Sequence, residues 1–243
     1  MLTSKRARAL AGHPWVFGNE LASLPEGVAD GDAAELRDPR GRLLGSGIVN
    51  RHSQIVWRRF SRAVEPFDQR YLTKAIRAAL ARRSDEPTQR LIWSEADGLP
   101  GLVIDRYRDV LVVQALTLAV DQRLEIIAGI LADLLATTRE IVFRNDAPTR
   151  EREGLPKAVF TRSGEPLGPV ELTIDGIRYA LDLEAAHKTG FYLDQRPQQQ
   201  RVGALAQGRR VLDAFCNQGA FALQAARAGA AEVVAIDSVA GCV

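Results

Sequence analysis

The hydrophobic pattern of the first 65 residues predicts a small β domain. Short apolar runs alternate with glycine and polar residues, and AAELRDPRGRLLGSGIVN has a turn at Asp38-Pro39-Arg40-Gly41 between two strand-like runs. The run SQIVWRRF predicts one further strand. Because a helical pattern follows Glu65-Pro66, we place a boundary there and assign residues 1–65 to the first domain.

Strand and helix patterns alternate in the middle of the chain, which predicts an α+β domain over residues 66–168. Asp68 is a suitable N-cap for an amphipathic helix with an apolar stripe of Tyr71, Leu72, Ala75, Ile76, Ala79 and Leu80. Two strands joined at Arg108-Asp109, the helix DQRLEIIAGILADLLAT and the strand EIVFRND follow. Residues 147–169 are rich in proline, glycine and charge, and we interpret them as a loop or linker.

The last part of the chain, residues 169–243, begins with a hairpin and continues as a β-α-β unit. Asp175-Gly176 supplies the two positive-φ residues that a tight type I′ turn requires. In VLDAFCNQGAFALQAARAGAAEVVAID, two apolar strands flank an alanine-rich helix, and each strand ends at an acidic residue. The predicted fold class is therefore α/β and α+β, with several domains.

Composition sets limits on the class of protein. With 243 residues and 46% hydrophobic content, the chain is long enough to bury a sizeable core. No apolar run approaches the roughly 18 to 20 residues of a membrane helix, and no signal-peptide core is visible, so we expect a cytoplasmic protein without membrane contact. The two cysteines, Cys216 and Cys242, support neither a disulfide framework nor a metal site.

The charge distribution is more informative than the net charge of +2. Basic residues concentrate before residue 65, with few acids nearby, at Lys5, Arg6, Arg8, Arg51, Arg58, Arg59 and Arg62. This pattern indicates either an ordinary solvated basic face or a surface that contacts phosphates.

The turn between the last two predicted strands favours a particular ligand. A strand that runs straight into a helix leaves free backbone N–H groups at the helix start and forms a ligand crevice. Dinucleotide folds use three glycines there, whereas this turn has Phe215 and Asn217 where backbone clearance is needed and keeps only Gly219. The sequence therefore argues against NAD or FAD.

S-adenosylmethionine matches the two acids better, because it has no phosphate but has a sulfonium, an ammonium and two ribose hydroxyls. Asp213 would face the cationic methionine end, and Asp237 would accept hydrogen bonds from the ribose. The alternative is that Asp213 caps the helix and Asp237 begins a loop.

The segment HKTGFYLDQRPQQQ precedes the first of these strands. Its two aromatic residues beside Gly190 would form a platform for a base, and Lys188, Gln195 and Arg196 would reach a carboxylate. The alternative is a capped helix start, in which Pro197 occupies the first turn.

Taken together, these stretches resemble the PUA-domain-containing class I methyltransferases that act on cytosine C5 of large-subunit ribosomal RNA. The resemblance spans nearly the whole chain and is carried by GHPWVFGNE with GSGIVNRHSQIVWRRF, by EADGLPGLVIDRYRDVLVVQ, and by HKTGFYLDQR with the β-α-β unit. It implies an N-terminal PUA-like β barrel, a central α+β domain and the start of a Rossmann-like class I methyltransferase sheet. It implies S-adenosyl-L-methionine as cofactor, bound by Lys188, Gln195, Arg196, Asp213, Phe215, Asn217, Gly219 and Asp237.

The resemblance also implies a partner, the ribosomal RNA of the large subunit. The candidate RNA contacts are Arg6, Arg51, Arg58 and Arg59, the last three of which interleave with Trp15, Phe17, Trp57 and Phe60. The alternative is that these aromatic residues form the core of the small barrel, which we expect for Phe17 and Trp57.

In that family, further sheet strands, an Asp-Pro-Pro-like motif and a nucleophilic cysteine follow the position of Val243, and the thiolate adds to C6 of the cytosine. We therefore expect a chain truncated within its catalytic domain, with no catalytic residue of its own. Cys216 lies in the cofactor turn and is expected to be a small buried thiol.

Two rival functions agree with these residues. The chain is either part of an RNA methyltransferase or an RNA-binding module with a non-catalytic nucleoside-binding fold, and the missing glycines disfavour a nucleotide-dependent oxidoreductase. Because only two strands of the cofactor sheet follow the hairpin, we expect either disorder after about residue 200 or pairing between chains as a homodimer.

Overall fold

The computed structural model describes residues 13–24, 26–186 and 189–239. The chain divides into two compact units, Met1–Leu167 and Gly168–Val243. The strands of the first unit are β1 (Trp15–Phe17), β2 (Ala33–Arg37), β3 (Leu43–Val49), β4 (Ile55–Ser61), β5 (Thr88–Trp93), β6 (Leu102–Tyr107), β7 (Val110–Ala115), β8 (Glu140–Asn145) and β9 (Ala158–Thr161). Its helices are α1 (Gln69–Leu80), α2 (Leu118–Asp121) and α3 (Leu124–Leu134).

The first sheet is antiparallel throughout, with strand order β1-β4-β3-β2. Trp57 lies in its core at 2% exposure and donates its indole N–H to Ala34 O at 2.9 Å, as expected. The same expectation is wrong for Phe17, which is 40% exposed. Phe17 follows a register shift on the edge strand β1, where Val16 takes the inward position instead.

The second sheet has strand order β5-β6-β7-β8-β9. Only β7 and β8 among neighbouring strands are parallel, and α2 and α3 connect them. The predicted helix after Asp68 is confirmed as α1, because the Asp68 carboxylate accepts a hydrogen bond from Tyr71 N at 2.9 Å. The predicted α+β character of this region is confirmed as well.

The interpretation of residues 147–169 as a loop or linker is wrong in part. The segment contains a 3-10 helix, Pro148–Glu153, and the strand β9, which pairs antiparallel with β8. Three of the four side chains of β9 are exposed, so the strand has no alternating apolar pattern to reveal it. The segment forms a strand because its backbone pairs with that of β8.

The two sheets of the first unit share one hydrophobic core. Ile48 and Phe60 of the first sheet belong to the same buried cluster as Leu72 of α1, Ile104 of β6 and Ile127 of α3. The predicted division into residues 1–65, 66–168 and 169–243 stays a prediction, since this core runs across the first of those boundaries.

The second unit contains a hairpin, β10 (Val170–Ile174) with β11 (Ile177–Leu181), and a β-α-β unit. Asp175 and Gly176 have φ of 48° and 77°, which confirms the type I′ turn. The other elements are α4 (Arg196–Leu205), β12 (Arg210–Ala214), α5 (Ala220–Arg227) and β13 (Glu232–Ile236).

The β-α-β prediction is confirmed, because β12 and β13 are parallel neighbours joined by α5. Their carboxyl ends therefore lie at one edge of the sheet. The described chain forms helices and strands beyond residue 200, and pairing between two copies stays a prediction.

Candidate functional site

The turn that leads from β12 into α5 has an unusual backbone. Phe215, Asn217 and Gly219 have φ of 64°, 46° and 68°, all in the left-handed region. For a residue with a Cβ this conformation costs about 1–2 kcal/mol, and it persists only where the surroundings enforce it. Here the amides of Phe215 and Cys216 both donate to Ile236 O, at 2.8 and 3.0 Å, so the end of β13 holds the turn in place.

Gly219 is needed for its conformation rather than for space. A Cβ added there would meet nothing closer than Leu223 at 3.9 Å, whereas its positive φ is one that side chains rarely adopt. Gly219 directly precedes the first residue of α5, which places the free amides of the helix start next to the turn.

Asp213 lies at the carboxyl end of β12 and accepts a hydrogen bond from Ala222 N, in the first turn of α5, at 3.0 Å. The geometry therefore agrees with the capping alternative. The pKa of Asp213 is nevertheless raised, chiefly because the carboxyl is partly desolvated and also because the Asp237 carboxylate repels its charge. The two acids thus form one negatively charged pair.

Asp237 follows β13 and stabilises the turn of the neighbouring strand. Its carboxylate accepts hydrogen bonds from Asn217 N at 2.8 Å and from Val239 N at 2.9 Å. The parallel register of β12 and β13 brings the acid of one strand to the turn of the other.

A pocket of about 260 Å³ opens beside this turn. Its lining combines aromatic rings with side-chain amides, contributed by Phe191, Tyr192, Gln195, Gln199, Phe215, Cys216, Asn217, Gln218, Ala220 and Phe221. Aromatic walls with a few polar groups are typical of sites for small planar ligands.

Gln218 is a pocket residue that the sequence did not identify. Its amide nitrogen donates to Gly190 O at 2.8 Å, which ties the turn to the segment before α4. Its Oε1 is buried and has no hydrogen-bond partner within the described residues. A buried acceptor without a donor is costly, so this oxygen is suited to a ligand N–H or O–H group.

The structure brings together most of the predicted cofactor residues. Gln195, Phe215 and Asn217 line the pocket, and Asp237 is hydrogen-bonded to Asn217. Gln199 was missed, although its spacing of four residues from Gln195 places both on one face of a helical turn. Lys188 lies outside the described residues.

Arg196 has a structural partner in the hairpin turn. Its guanidinium makes two hydrogen bonds to the Asp175 carboxylate, at 3.0 and 2.8 Å, and thereby lowers the pKa of that carboxyl. Arg227 and Gln224 of α5 donate to Asp175 O as well. The hairpin is therefore anchored to both helices of this unit, and a contact between Arg196 and a ligand stays a prediction.

Cys216 is buried, as expected of a small thiol in this turn. Cys242 lies outside the described residues. The described part of the chain contains no cluster of three or more metal-ligating side chains. It also contains no helix with the length and apolar character needed to cross a membrane.

The predicted RNA contacts in the first unit differ in their surroundings. Arg51 is half-exposed and pairs with Asp30 at 2.8 Å. Arg59 is partly buried, which lowers its pKa, and repulsion from Arg62 lowers it further, so these two arginines form a cationic pair. Arg6 lies outside the described residues.

Arg58, on β4 of the first sheet, pairs with acids in the two 3-10 helices that follow β5 and β8. Its side chain is 15% exposed and pairs with Glu153 at 3.0 Å and with Glu95 at 3.5 Å. The Trp15 ring lies 5.5 Å from its guanidinium, and the Trp15 indole donates to Glu95 at 2.6 Å. These contacts neutralise Arg58 internally and lend no support to its predicted contact with RNA.

Two family models match the chain. A PUA-like domain model matches residues 1–62, and an S-adenosylmethionine-dependent methyltransferase model matches residues 95–243, more than half of the chain. The second match includes both acids, the turn and the pocket residues.

Related methyltransferases match almost all of this chain. Ribosomal RNA large subunit methyltransferase I of Shewanella amazonensis is 37% identical over 235 residues, which are 93% of this chain and 59% of that protein. The protein of the same name from Aeromonas hydrophila is 34% identical over 98% of this chain and 62% of its own length. The chain thus spans about three fifths of these relatives.

Two solved structures share the fold. A putative SAM-dependent methyltransferase from Streptococcus mutans superposes with a TM-score of 0.81 at 20% identity, over 100% of this chain and 64% of that one. A putative methyltransferase complexed with SAH gives a TM-score of 0.83, also at 20% identity, over 100% of this chain and 63% of that one.

Proposed function

Because the chain belongs to the S-adenosylmethionine-dependent methyltransferase family, we propose that it binds this methyl donor where β12 and β13 end, and that the whole protein methylates large-subunit ribosomal RNA. The observation that carries the donor site is the pair of coupled carboxylates, Asp213 and Asp237, at the ends of neighbouring parallel strands. A bound cation relieves the repulsion between them. When bound, the donor supplies a methyl group from its sulfonium.

The residues around the pair fit the remaining parts of the donor. Asp213 faces the cationic methionine end, and Asp237 accepts from the ribose hydroxyls while it holds the turn. The aromatic walls of the pocket, including Phe191 and Tyr192, suit the adenine ring. The buried Oε1 of Gln218, which has no partner in the described part of the chain, accepts a hydrogen bond from one of the donor's N–H or O–H groups.

Further donor contacts belong to the same proposal. Gln195, Phe215, Asn217 and Gly219 lie in the pocket wall or at its turn. Lys188 and Arg196 reach the carboxylate of the donor, which for Arg196 requires sharing its guanidinium with Asp175. A phosphate-bearing dinucleotide suits this site poorly, because the turn pairs two carboxylates with a single glycine.

The RNA part of the proposal rests on the first unit and on the relatives. The PUA-like match, the cationic pair Arg59 and Arg62, and the half-exposed Arg51 support contact with phosphates. The named relatives are large-subunit ribosomal RNA methyltransferases, and this chain spans about three fifths of their length. We extend the proposal to C5 of a cytosine as the methylated position.

Donor binding is tested by calorimetry on the chain with S-adenosylmethionine, its demethylated product and NADH as separate ligands. We expect the first two to bind and NADH not to bind, and we expect Asp237→Ala to weaken binding by at least about tenfold, the worth of one hydrogen bond to a charged group. RNA binding without donor binding would instead favour a non-catalytic RNA-binding module.

Methyl transfer is tested with the full-length protein and labelled donor. We expect label in large-subunit ribosomal RNA, at a cytosine whose C5 proton is released to solvent as the methyl group takes its place. Incorporation into transfer RNA alone would contradict the proposed substrate while leaving the donor site intact.

A further inference from the structure

A tryptophan at the end of β5 presents an open aromatic surface outside the first sheet. Trp93 is 51% exposed, an unusual state for the largest apolar side chain. The guanidinium of Arg90 lies 4.4 Å from the centre of its ring, within cation–π distance. Arg90 covers one side of the indole, and half of the residue stays open to solvent.

Arg90 is fixed in that position by a buried acid. Its Nε and Nη2 donate to the two oxygens of Asp105, each at 2.8 Å, and Asp105 is fully buried. A two-point pair to a buried carboxylate leaves the guanidinium little freedom. The ring and the cation above it are therefore preorganised.

A second buried acid gathers two more arginines beside the tryptophan. The Asp97 carboxylate accepts from Arg82 and Arg83, each at 2.7 Å, and from Trp93 N at 2.6 Å. Arg83 also donates to Arg90 O at 3.1 Å. We call the group formed by Arg82, Arg83, Arg90 and Trp93 the Trp93 surface.

The exposed charge of the Trp93 surface is positive. Three guanidinium groups face two carboxylates, and both carboxylates are buried while the Arg82 side chain is half-exposed. A partner therefore meets a flat aromatic ring with Arg90 on one side, next to the Asp97 carboxylate that holds Arg82 and Arg83. That combination matches a nucleotide, whose base stacks and whose phosphate is negative.

We propose that the Trp93 surface binds an unpaired segment of RNA, with one base stacked on Trp93 and a neighbouring phosphate near Arg82 and Arg83. This rests on the proposed RNA substrate and adds a second contact region, formed by residues other than the basic residues of the first sheet. Stacking on an exposed ring requires a base outside a duplex, so the surface selects single-stranded RNA.

The test measures fluorescence anisotropy with two labelled RNAs, an unstructured oligonucleotide and a duplex of equal length. Trp93→Ala is expected to weaken binding of the single strand by about 5- to 100-fold, the usual worth of one base stacked on an aromatic residue. Binding of the duplex changes less than about twofold, since a duplex offers no unpaired base. Trp93→Phe recovers most of the loss because it keeps a ring.

Phe160→Ala is the matched control. Phe160 is 41% exposed on β9 of the same sheet and lies outside the Trp93 surface, so its removal leaves both affinities unchanged. Equal affinities of wild type and Trp93→Ala for the single strand would overturn the inference and leave the proposed function standing. Wild-type protein that binds neither RNA would overturn both.

Thermal unfolding of the full-length protein separates RNA contact from a packing role. If Trp93→Ala lowers the melting temperature but leaves the RNA affinity unchanged, Trp93 packs against another part of the protein, and the inference is overturned. We expect the melting temperature to stay within about 2 °C, as for an ordinary surface substitution.

Discussion

At the scale of single residues, the charge of Asp213 favours binding of a cationic ligand but lowers the stability of the ligand-free protein. Its pKa is raised in the folded chain by desolvation and by Asp237. The folded protein then holds this proton more tightly than the unfolded chain does. Stability therefore falls as the pH rises from the ordinary aspartate value of 3.8 through the raised pKa, and the loss is complete above it.

Asp213→Asn is expected to raise the melting temperature of the ligand-free chain at pH 7 and to weaken binding of S-adenosylmethionine. The asparagine oxygen still accepts from Ala222 N, while the like charge is gone. The gain in melting temperature shrinks as the pH is lowered through the raised pKa of Asp213, because the native carboxyl then becomes neutral too. Thermal unfolding and calorimetry across this pH range measure both effects; unchanged donor affinity would leave Asp213 only its capping role.

Arg58 and Arg51 provide a second comparison at this scale. Arg58→Ala leaves the buried Glu153 and the nearby Glu95 without their cation, so the free energy of unfolding is expected to fall by about 3 kcal/mol. Arg51→Ala breaks a solvated pair with Asp30 and is expected to cost at most about 1 kcal/mol. Urea unfolding distinguishes them, and equal losses would contradict an internal role for Arg58.

At the scale of secondary structure elements, two glycines show opposite requirements. A Cβ on Gly47 of β3 would lie 2.3 Å from the Trp57 ring and 2.6 Å from Arg58 O, both on β4. Gly47→Ala is therefore expected to destabilise the first unit by about 1–3 kcal/mol, because the paired strand cannot move aside.

Gly129, in the middle of α3, is the control for this prediction. A Cβ there meets nothing within 4 Å, so Gly129→Ala is expected to stabilise the chain by about 0.5–1 kcal/mol through the better helix propensity of alanine. Melting temperatures of the two variants should move in opposite directions. A loss of stability in both would mean that α3 packs more tightly than its contacts indicate.

At the scale of the whole molecule, a net charge of +2 cannot by itself attract RNA. Affinity has to come from local surfaces, of which the arginines of the first sheet and the Trp93 surface are the two candidates. The two differ in physical origin, since the arginines of the first sheet neutralise phosphates whereas the Trp93 ring stacks a base. The salt dependence of the affinity distinguishes Arg59 from Trp93, because only contacts with phosphates release counterions.

Arg59→Ala is expected to reduce the slope of log affinity against log salt by about 0.7–0.9 for single-stranded or duplex RNA, the loss of one phosphate contact. Trp93→Ala lowers the affinity at every salt concentration and leaves the slope unchanged. Anisotropy titrations between about 50 and 200 mM salt measure the slope for each variant. An unchanged slope in Arg59→Ala would remove this arginine from the interface.

The elements of the fold that depend on neighbouring residues could be predicted from the sequence. The Asp68 cap of α1, the turn at Asp175-Gly176 and the β-α-β unit with an acid after each strand all follow from spacing of a few residues. The turn from β12 into α5 could be predicted for the same reason. The strand β9 could not be predicted, because it forms by backbone pairing with β8 and its own sequence has no alternating apolar pattern.

The sequence by itself determined which side chains stand at strand ends, because periodicity and turn chemistry are local. Only the tertiary structure decided what each charged or polar side chain contacts. Arg58 and Arg196 are bound to acids far along the chain, the oxygen of Gln218 has no donor among the residues that the structure describes, and Trp93 stays exposed beneath Arg90. Such partners depend on how distant segments pack, and that information is distributed over the whole chain.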